Sequence, residues 1–169
     1  MIELIVVMAI VGILGAIALP GMKSFIDNNK KSAMAYEISA GLSIARSEAV
    51  KRKFTTTFCV LNANQDNCRG NETINDLSNG WLIYTDCNGN GAYDAGNTCD
   101  TNRDGKPDFS ELVKIQKPMN SAFIVNLKTK AAIDYMPSGR AAATGIDFLL
   151  DGKVVKAVKI ANTGRVRVE

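Results

Sequence analysis

The chain has 169 residues, 20 Lys/Arg against 17 Asp/Glu for a net charge of +3, and no histidine. Without an imidazole the commonest general base and metal ligand are gone, Ser-His-Asp and Cys-His mechanisms are excluded, and no GxSxG elbow, P-loop or GxGxxG follows a strand-like run, so no enzymatic activity is expected. The charge is segregated, with +3 over residues 1–53, −6 over 54–111 and +6 over 112–169, which points to a cation as partner of the middle and a polyanion as partner of the last third, or to mutual neutralisation across the fold.

In chain order, the first element is an apolar run. Sixteen residues from Leu4 to Leu19 carry no charge, and Glu3 stands just ahead of them. As a helix this run spans about 24 Å, a little short of a bilayer core. Glu3 is costly in lipid unless something pairs with it. A secretory leader would put a basic region before the run and a small-residue cleavage site after it; this run ends at Pro20 and continues into a helical pattern. The pattern suits a helix that rests in a membrane and later packs against copies of itself.

Beyond Pro20, Met34, Ile38, Leu42, Ala45 and Ala49 recur at three- and four-residue steps, with Lys30, Lys31, Glu37, Arg46 and Glu48 mostly between them. A stripe this rich in alanine predicts close packing against a sheet. Lys51, Arg52 and Lys53 suit the negative end of the helix dipole. The whole helix is expected to run about 50 residues, roughly 75 Å.

The remaining 116 residues suffice for one modest core. Short β-rich runs at 54–61, 80–85, 122–127, 132–135, 146–150 and 154–160 predict strands. Pro137-Ser138-Gly139, Asp151-Gly152 and Thr163-Gly164 mark turns, with Asp151-Gly152 a two-residue hairpin. One long helix followed by antiparallel strands is an α+β arrangement. Cys59, Cys68, Cys87 and Cys99 allow three disulfide connectivities. The local pairs Cys59–Cys68 and Cys87–Cys99 are favoured because each closes a polar loop; a four-thiolate zinc site would want a CxxC spacing that is missing.

The acidic middle holds a sharper pattern. Residues 100–111, DTNRDGKPDFSE, fit the calcium-loop spacing D-x-[DN]-x-[DN]-G-x5-E. Asp100, Asn102 and Asp104 turn oxygens toward one point, Gly105 permits the sharp bend, and Lys106 offers its carbonyl. Asp108 contributes directly or through water, and Glu111 supplies two oxygens. Pro107 and the absence of a flanking helical pair argue against a true EF-hand domain. A weaker copy lies fourteen residues earlier: Asp86, Asn88, Asn90, Gly91 and Asp94, with Asn97 in place of the closing glutamate. The plainer reading of both is a surface loop held by Asx turns. Ca2+ is the one cofactor these residues suggest.

Ile2-Glu3, the apolar run and Pro20 together resemble the N-terminal signature of type IV pilins and the pseudopilins of type II secretion. Mature chains of that superfamily usually begin Phe-Thr-Leu-Ile-Glu and carry a helix-bending proline. The sequence departs from it at the start: there is no basic leader or cleavage-site glycine, and Met1 falls where leucine is usual. As written, the polypeptide is not expected to be processed by a prepilin peptidase. Ala45-Arg46-Ser47-Glu48-Ala49, Phe58-Cys59 and GWLIYTDCNGNGAYD (80–94) narrow the resemblance to minor pilins of the FimT/FimU group, which share a domain with the H pseudopilin, GspH.

The resemblance implies an α+β pilin-like fold with three parts. Residues 1–22 would form a transmembrane and assembly helix, 23–53 its amphipathic half, and 54–169 a β-rich periplasmic head with an acidic loop at 86–111. It implies a single-pass protein of the bacterial inner membrane that moves to the pilus surface after assembly, with other pilins as partners. Glu3 would neutralise the N-terminal amine of a neighbouring subunit. Gly164-Arg165-Val166-Arg167 resembles the Gly-Arg-x-Arg motif by which FimT-type pilins bind double-stranded DNA in natural transformation. In a strand Arg165 and Arg167 share one face about 6.5–7 Å apart, close to the spacing of successive phosphates, and Gly164 would leave the approach clear. Lys153, Lys156, Lys159 and Arg140 would widen the patch. The alternatives are a FimU-like subunit priming pilus assembly or a secretion pseudopilin, the arginines then merely keeping an edge strand soluble.

Overall fold

A single helix, α1 (Ile2–Arg52), fills the first third of the chain in the computed structural model, which describes residues 2–68, 77–102, 104–118, 124–127, 132–150 and 153–169. The helix continues through Pro20. Glu3 in its first turn and Lys51 and Arg52 in its last complement the dipole. It ends where Lys53 enters the left-handed region (φ 61°) and donates its N–H to Ala49 O at 3.0 Å.

The two ends of α1 present different surfaces. Every side chain from Ile2 to Leu14 is exposed, yet among the described residues no helical segment is long and apolar enough to cross a membrane. From Met34 onward the stripe Met34, Ala35, Ile38, Leu42, Ala45 and Ala49 is buried, as the spacing predicts. Gly41 lies on this face. A Cβ there would sit 2.8 Å from the Trp81 ring, so the missing side chain lets the indole pack on the helix.

Ten strands follow among the described residues: β1 (Thr55–Val60), β2 (Trp81–Asp86), β3 (Thr98–Cys99), β4 (Phe109–Ser110), β5 (Leu112–Gln116), β6 (Ile124–Leu127), β7 (Ala132–Tyr135), β8 (Thr144–Leu150), β9 (Lys153–Ile160) and β10 (Val166–Val168). They form two antiparallel four-stranded sheets, β5-β2-β1-β7 and β10-β9-β8-β6, and a two-stranded ribbon, β3-β4. Phe58, Val60, Trp81 and Ile83 from the first sheet meet Ile146, Phe148, Val158 and Ile160 from the second in the core beneath α1. On the reverse face of the first sheet Cys59, Leu61, Leu82 and Tyr84 pack with Tyr93. β1 and β2 are thus buried on both faces, which is why their sequences lack a polar alternation.

Six strands fall where the sequence places them, within one or two residues. The first two residues of the 122–127 run and the Asp151-Gly152 turn lie outside the described residues. β5 was not expected: it is a short, half-buried strand at the sheet edge, with Lys114 and Gln116 interrupting its apolar character. Both local disulfides form, Cys59–Cys68 and Cys87–Cys99. With all four sulfurs bonded to each other, the four-thiolate alternative is ruled out.

Candidate functional site

Two turns of the same build meet beside the C-terminal end of α1. In 136–139 and 161–164 the closing glycine N–H donates to the carbonyl of the first residue, at 2.8 Å in each. The N–H of that first residue, Met136 or Ala161, donates in turn to the carbonyl of the arginine beyond, Arg140 (2.8 Å) or Arg165 (3.0 Å). Gly139 and Gly164 take φ of 75° and 74°, the left-handed position of a three-residue hairpin turn. The glycines face one another so closely that a Cβ on Gly164 would lie 2.0 Å from Gly139 O. Arg46 of α1 completes the corner by donating from Nε to the same carbonyl at 3.0 Å.

Beyond the corner, exposure alternates with the strand period. Arg165, Arg167 and Glu169 face outward, while Val166 and Val168 pack against the core. Arg167 lies opposite Lys159 of β9, so three cations share one face and border a shallow cleft of about 490 Å³. Among the described residues neither the Arg165 nor the Arg167 guanidinium makes an ion pair or hydrogen bond, whereas Lys159 pairs with Glu169 at 2.6 Å. That hydrogen bond, with further help from the Lys159 and Arg167 charges, holds the Glu169 carboxyl below its ordinary range. A second groove of about 570 Å³ separates α1 from β10 and has Arg46, Lys51 and Arg165 on its walls. Guanidinium groups so placed can bind phosphate oxygens bidentately without reading sequence.

Two residues expected to present themselves in this patch are turned inward. Lys156 shares the inward side of β9 with Val158 and Ile160. Its Nζ lies 3.4 Å from Ser32 Oγ and 5.8 Å from the Tyr36 ring centroid, both on α1. Gly164 is buried, and its missing side chain faces Gly139 rather than solvent, so it shapes the corner from which Arg165 projects. Arg46 and Lys51, on the helix, were not legible as neighbours of the arginine motif; only the matching Ser-Gly-Arg and Thr-Gly-Arg turns (138–140 and 163–165) hinted that Arg140 belongs here.

The acidic loops share three hydrogen bonds at matching positions. Asp86 Oδ2 accepts from Gly91 N and Asp100 Oδ2 from Gly105 N, both at 2.8 Å. Asn88 Oδ1 accepts from Asn90 N and Asn102 Oδ1 from Asp104 N; Asn90 Oδ1 accepts from Ala92 N and Asp104 Oδ1 from Lys106 N. They differ at the ninth position. Asn88 and Asn90 both donate from Nδ2 to Asp94 Oδ2, at 2.8 and 2.7 Å. Asp108 instead turns back to Thr101, whose hydroxyl and N–H bond its carboxyl and hold it below its ordinary range.

Glu111 does not close the loop 100–111. The ribbon register pairs Cys99 with Phe109 and Thr98 with Ser110, so the next positions along are Asn97 and Glu111. Accordingly Glu111 N–H donates to Asn97 O (3.1 Å) and Glu111 Oε2 accepts from Asp94 N–H (3.0 Å). The side chain is fully buried, and Oε1 has no hydrogen-bond partner. Burial raises its carboxyl above the ordinary 4.5, and the Asp94 and Asp86 charges add to the effect. Among the described residues no three Asp, Glu or Cys side chains stand close enough together to hold a metal ion by themselves.

A family model for the type II transport protein GspH matches residues 35–164. In fold the chain is similar to the type IV minor pilin FimU of Pseudomonas aeruginosa in two crystal forms. One comparison has 17% identity and a TM-score of 0.54 over 82% of this chain and 91% of that one. The other has 17% identity and a TM-score of 0.57 over 86% and 92%. No curated protein matches the chain.

Proposed function

The chain belongs to the GspH family, within the minor pilin and pseudopilin superfamily, and from that premise we propose that it joins a pilus and holds double-stranded DNA, without sequence preference, through its C-terminal hairpin. The observation that carries this reading is the unpaired, outward-facing pair Arg165 and Arg167 with Lys159 beside them. Arg140 at the abutting turn and Lys51 across the groove extend the cationic surface. The exposed apolar side chains of residues 2–14 suit a bilayer before assembly and neighbouring subunits after it. Residues 1–22 would be the membrane and assembly segment, 23–53 the amphipathic half of the helix, and 54–169 the periplasmic head. Glu3 would then pair with a neighbour's N-terminal amine. The role is binding and assembly, with no catalysis.

The test is anisotropy of a labelled DNA duplex with the full chain in detergent micelles at two salt concentrations. Micromolar binding that weakens with salt is expected. Arg165→Ala/Arg167→Ala should weaken it and flatten the log–log salt slope by about 2. No binding by the folded wild type, or equal binding by the variant, would remove the arginine role. The second reading is a purely structural subunit, either a FimU-like primer of pilus assembly or an H-type pseudopilin. It is favoured by the family match and by Glu169, whose carboxylate offsets part of the cationic face.

A further inference from the structure

We propose that the DNA-binding surface continues over the C-terminal end of α1, where Lys51 and Lys53 bind phosphate oxygens of the same duplex that Arg165 and Arg167 hold. This rests on the DNA reading above and adds a second set of contacts to it. The observation behind it is an unbroken line of clefts. Arg165 borders both the cleft that holds Lys159 and Arg167 and the groove along α1. Lys51 in turn borders both that groove and a third cleft of about 590 Å³, which Lys51, Arg52 and Lys53 line together with Thr101, Asp108 and Phe109.

The helix wall of the groove is a stripe of its own, since Ser43, Arg46, Ser47, Val50 and Lys51 lie three and four residues apart. Both serine hydroxyls turn back to carbonyls of their own helix, Ser39 O and Ile44 O. These small side chains keep the wall low, so the sugar–phosphate ridge of a duplex can seat between α1 and β10. Arg46 spends its Nε on Gly139 O, and its Nη groups have no partner among the described residues. Carboxylates border the two outer clefts, Glu169 in the first and Asp108 in the third. Among the described residues the charged walls of the groove between them are Arg46, Lys51 and Arg165, all cationic, which favours a polyanion there.

The negative end of a helix dipole repels phosphate, so binding at the end of α1 needs cations beyond those the fold consumes. Arg52 is consumed. It bonds Glu48 Oε2 at 2.5 Å and Ser110 O at 3.0 Å, and lies 4.3 Å from the Phe109 ring centroid. Glu48 is thereby paired, and Lys51 reaches its other oxygen only at 3.8 Å, with a side chain 77% exposed. Lys53 leaves the helix in the left-handed region, is exposed, and its ammonium has no partner among the described residues. Two cations are therefore left to a ligand, and lysine meets phosphate as a point charge.

The experiment is anisotropy of a labelled duplex with the full chain in detergent micelles across a salt series. Lys51→Gln/Lys53→Gln should weaken binding about tenfold or more at about 0.1 M salt and flatten the log–log slope by about 2. Joined to Arg165→Ala/Arg167→Ala, it should flatten the slope by about 4. Lys30→Gln removes an exposed charge about 30 Å along α1 from Lys51 and should leave the slope as it is. Both substituted lysines are exposed, so the variant is expected to fold, and circular dichroism checks it. If the pair only offset the helix dipole, Tm would fall while the slope stayed, and the proposal would be overturned. A wild-type slope in the lysine variant beside a weakened arginine variant overturns this inference alone. No binding by the folded wild type overturns the DNA reading with it.

Discussion

Gly164→Ala separates an internal role of this glycine from one in leaving a ligand's path clear. Gly164 has φ +74°, and a Cβ built on it would sit 2.0 Å from Gly139 O and 3.2 Å from Arg46 Nε. Holding alanine in the left-handed region costs about 1 kcal/mol or somewhat more. The overlap is with backbone, so no rotamer change relieves it. The two turns must part, and the Arg46 bond to Gly139 O at 3.0 Å stretches or breaks, adding about 1.5 kcal/mol for a bond from a charged donor. The total is about 3 kcal/mol, or roughly 6–12 °C in Tm for a chain of this size. Thermal and urea unfolding of wild type and variant, followed by circular dichroism, measure it. DNA affinity should fall as well, although both arginines are intact, because the corner that aims Arg165 has shifted. A variant as stable as wild type would refute the packing role of Gly164.

Tyr135 is fully buried and its hydroxyl has no partner; burial raises its pKa from 10.0 to about 12, with Arg46 opposing. The folded chain therefore keeps this proton where the unfolded chain releases it. The contribution to stability is constant below about pH 10 and declines from there to about pH 12, by up to roughly 3 kcal/mol. Tyr135→Phe should lessen that alkaline loss and be neutral or stabilising by about 1 kcal/mol at pH 7, and urea unfolding across pH reads both; an unchanged alkaline decline would count against it. Removing the second disulfide by Cys87→Ser/Cys99→Ser, a sequence separation of 12, should cost about 3 kcal/mol, read by urea unfolding; an unchanged midpoint would count against it.

Much of the architecture was legible because it rests on local periodicity. The stripe from Met34 to Ala49 recurs at helical spacing, and the helix buries it. β1, β2 and β7 to β9 stand out as β-rich runs between turn residues. The cysteine pairs were legible because each closes a short loop. β5 was missed because a half-buried edge strand needs little apolar pattern to be held by its neighbour β2. In the site, the alternation of Arg165 and Arg167 follows from strand geometry, but the side of β9 that Lys156 occupies depends on its pairing with β8. A shift of one residue would reverse it.

The sequence by itself determined the long helix, the strand-rich head, the two loops of calcium spacing and the pair of arginines near the end, since each is written in residues close together along the chain. Tertiary structure alone decided where Gly164 faces, which cations stand together, and which loop Glu111 serves. Those outcomes depend on register and contact between segments far apart in sequence: Arg46 against the turns at 139 and 164, and Asn97 against Glu111. No local pattern encodes such contacts, because they arise only when one shared core brings the segments together.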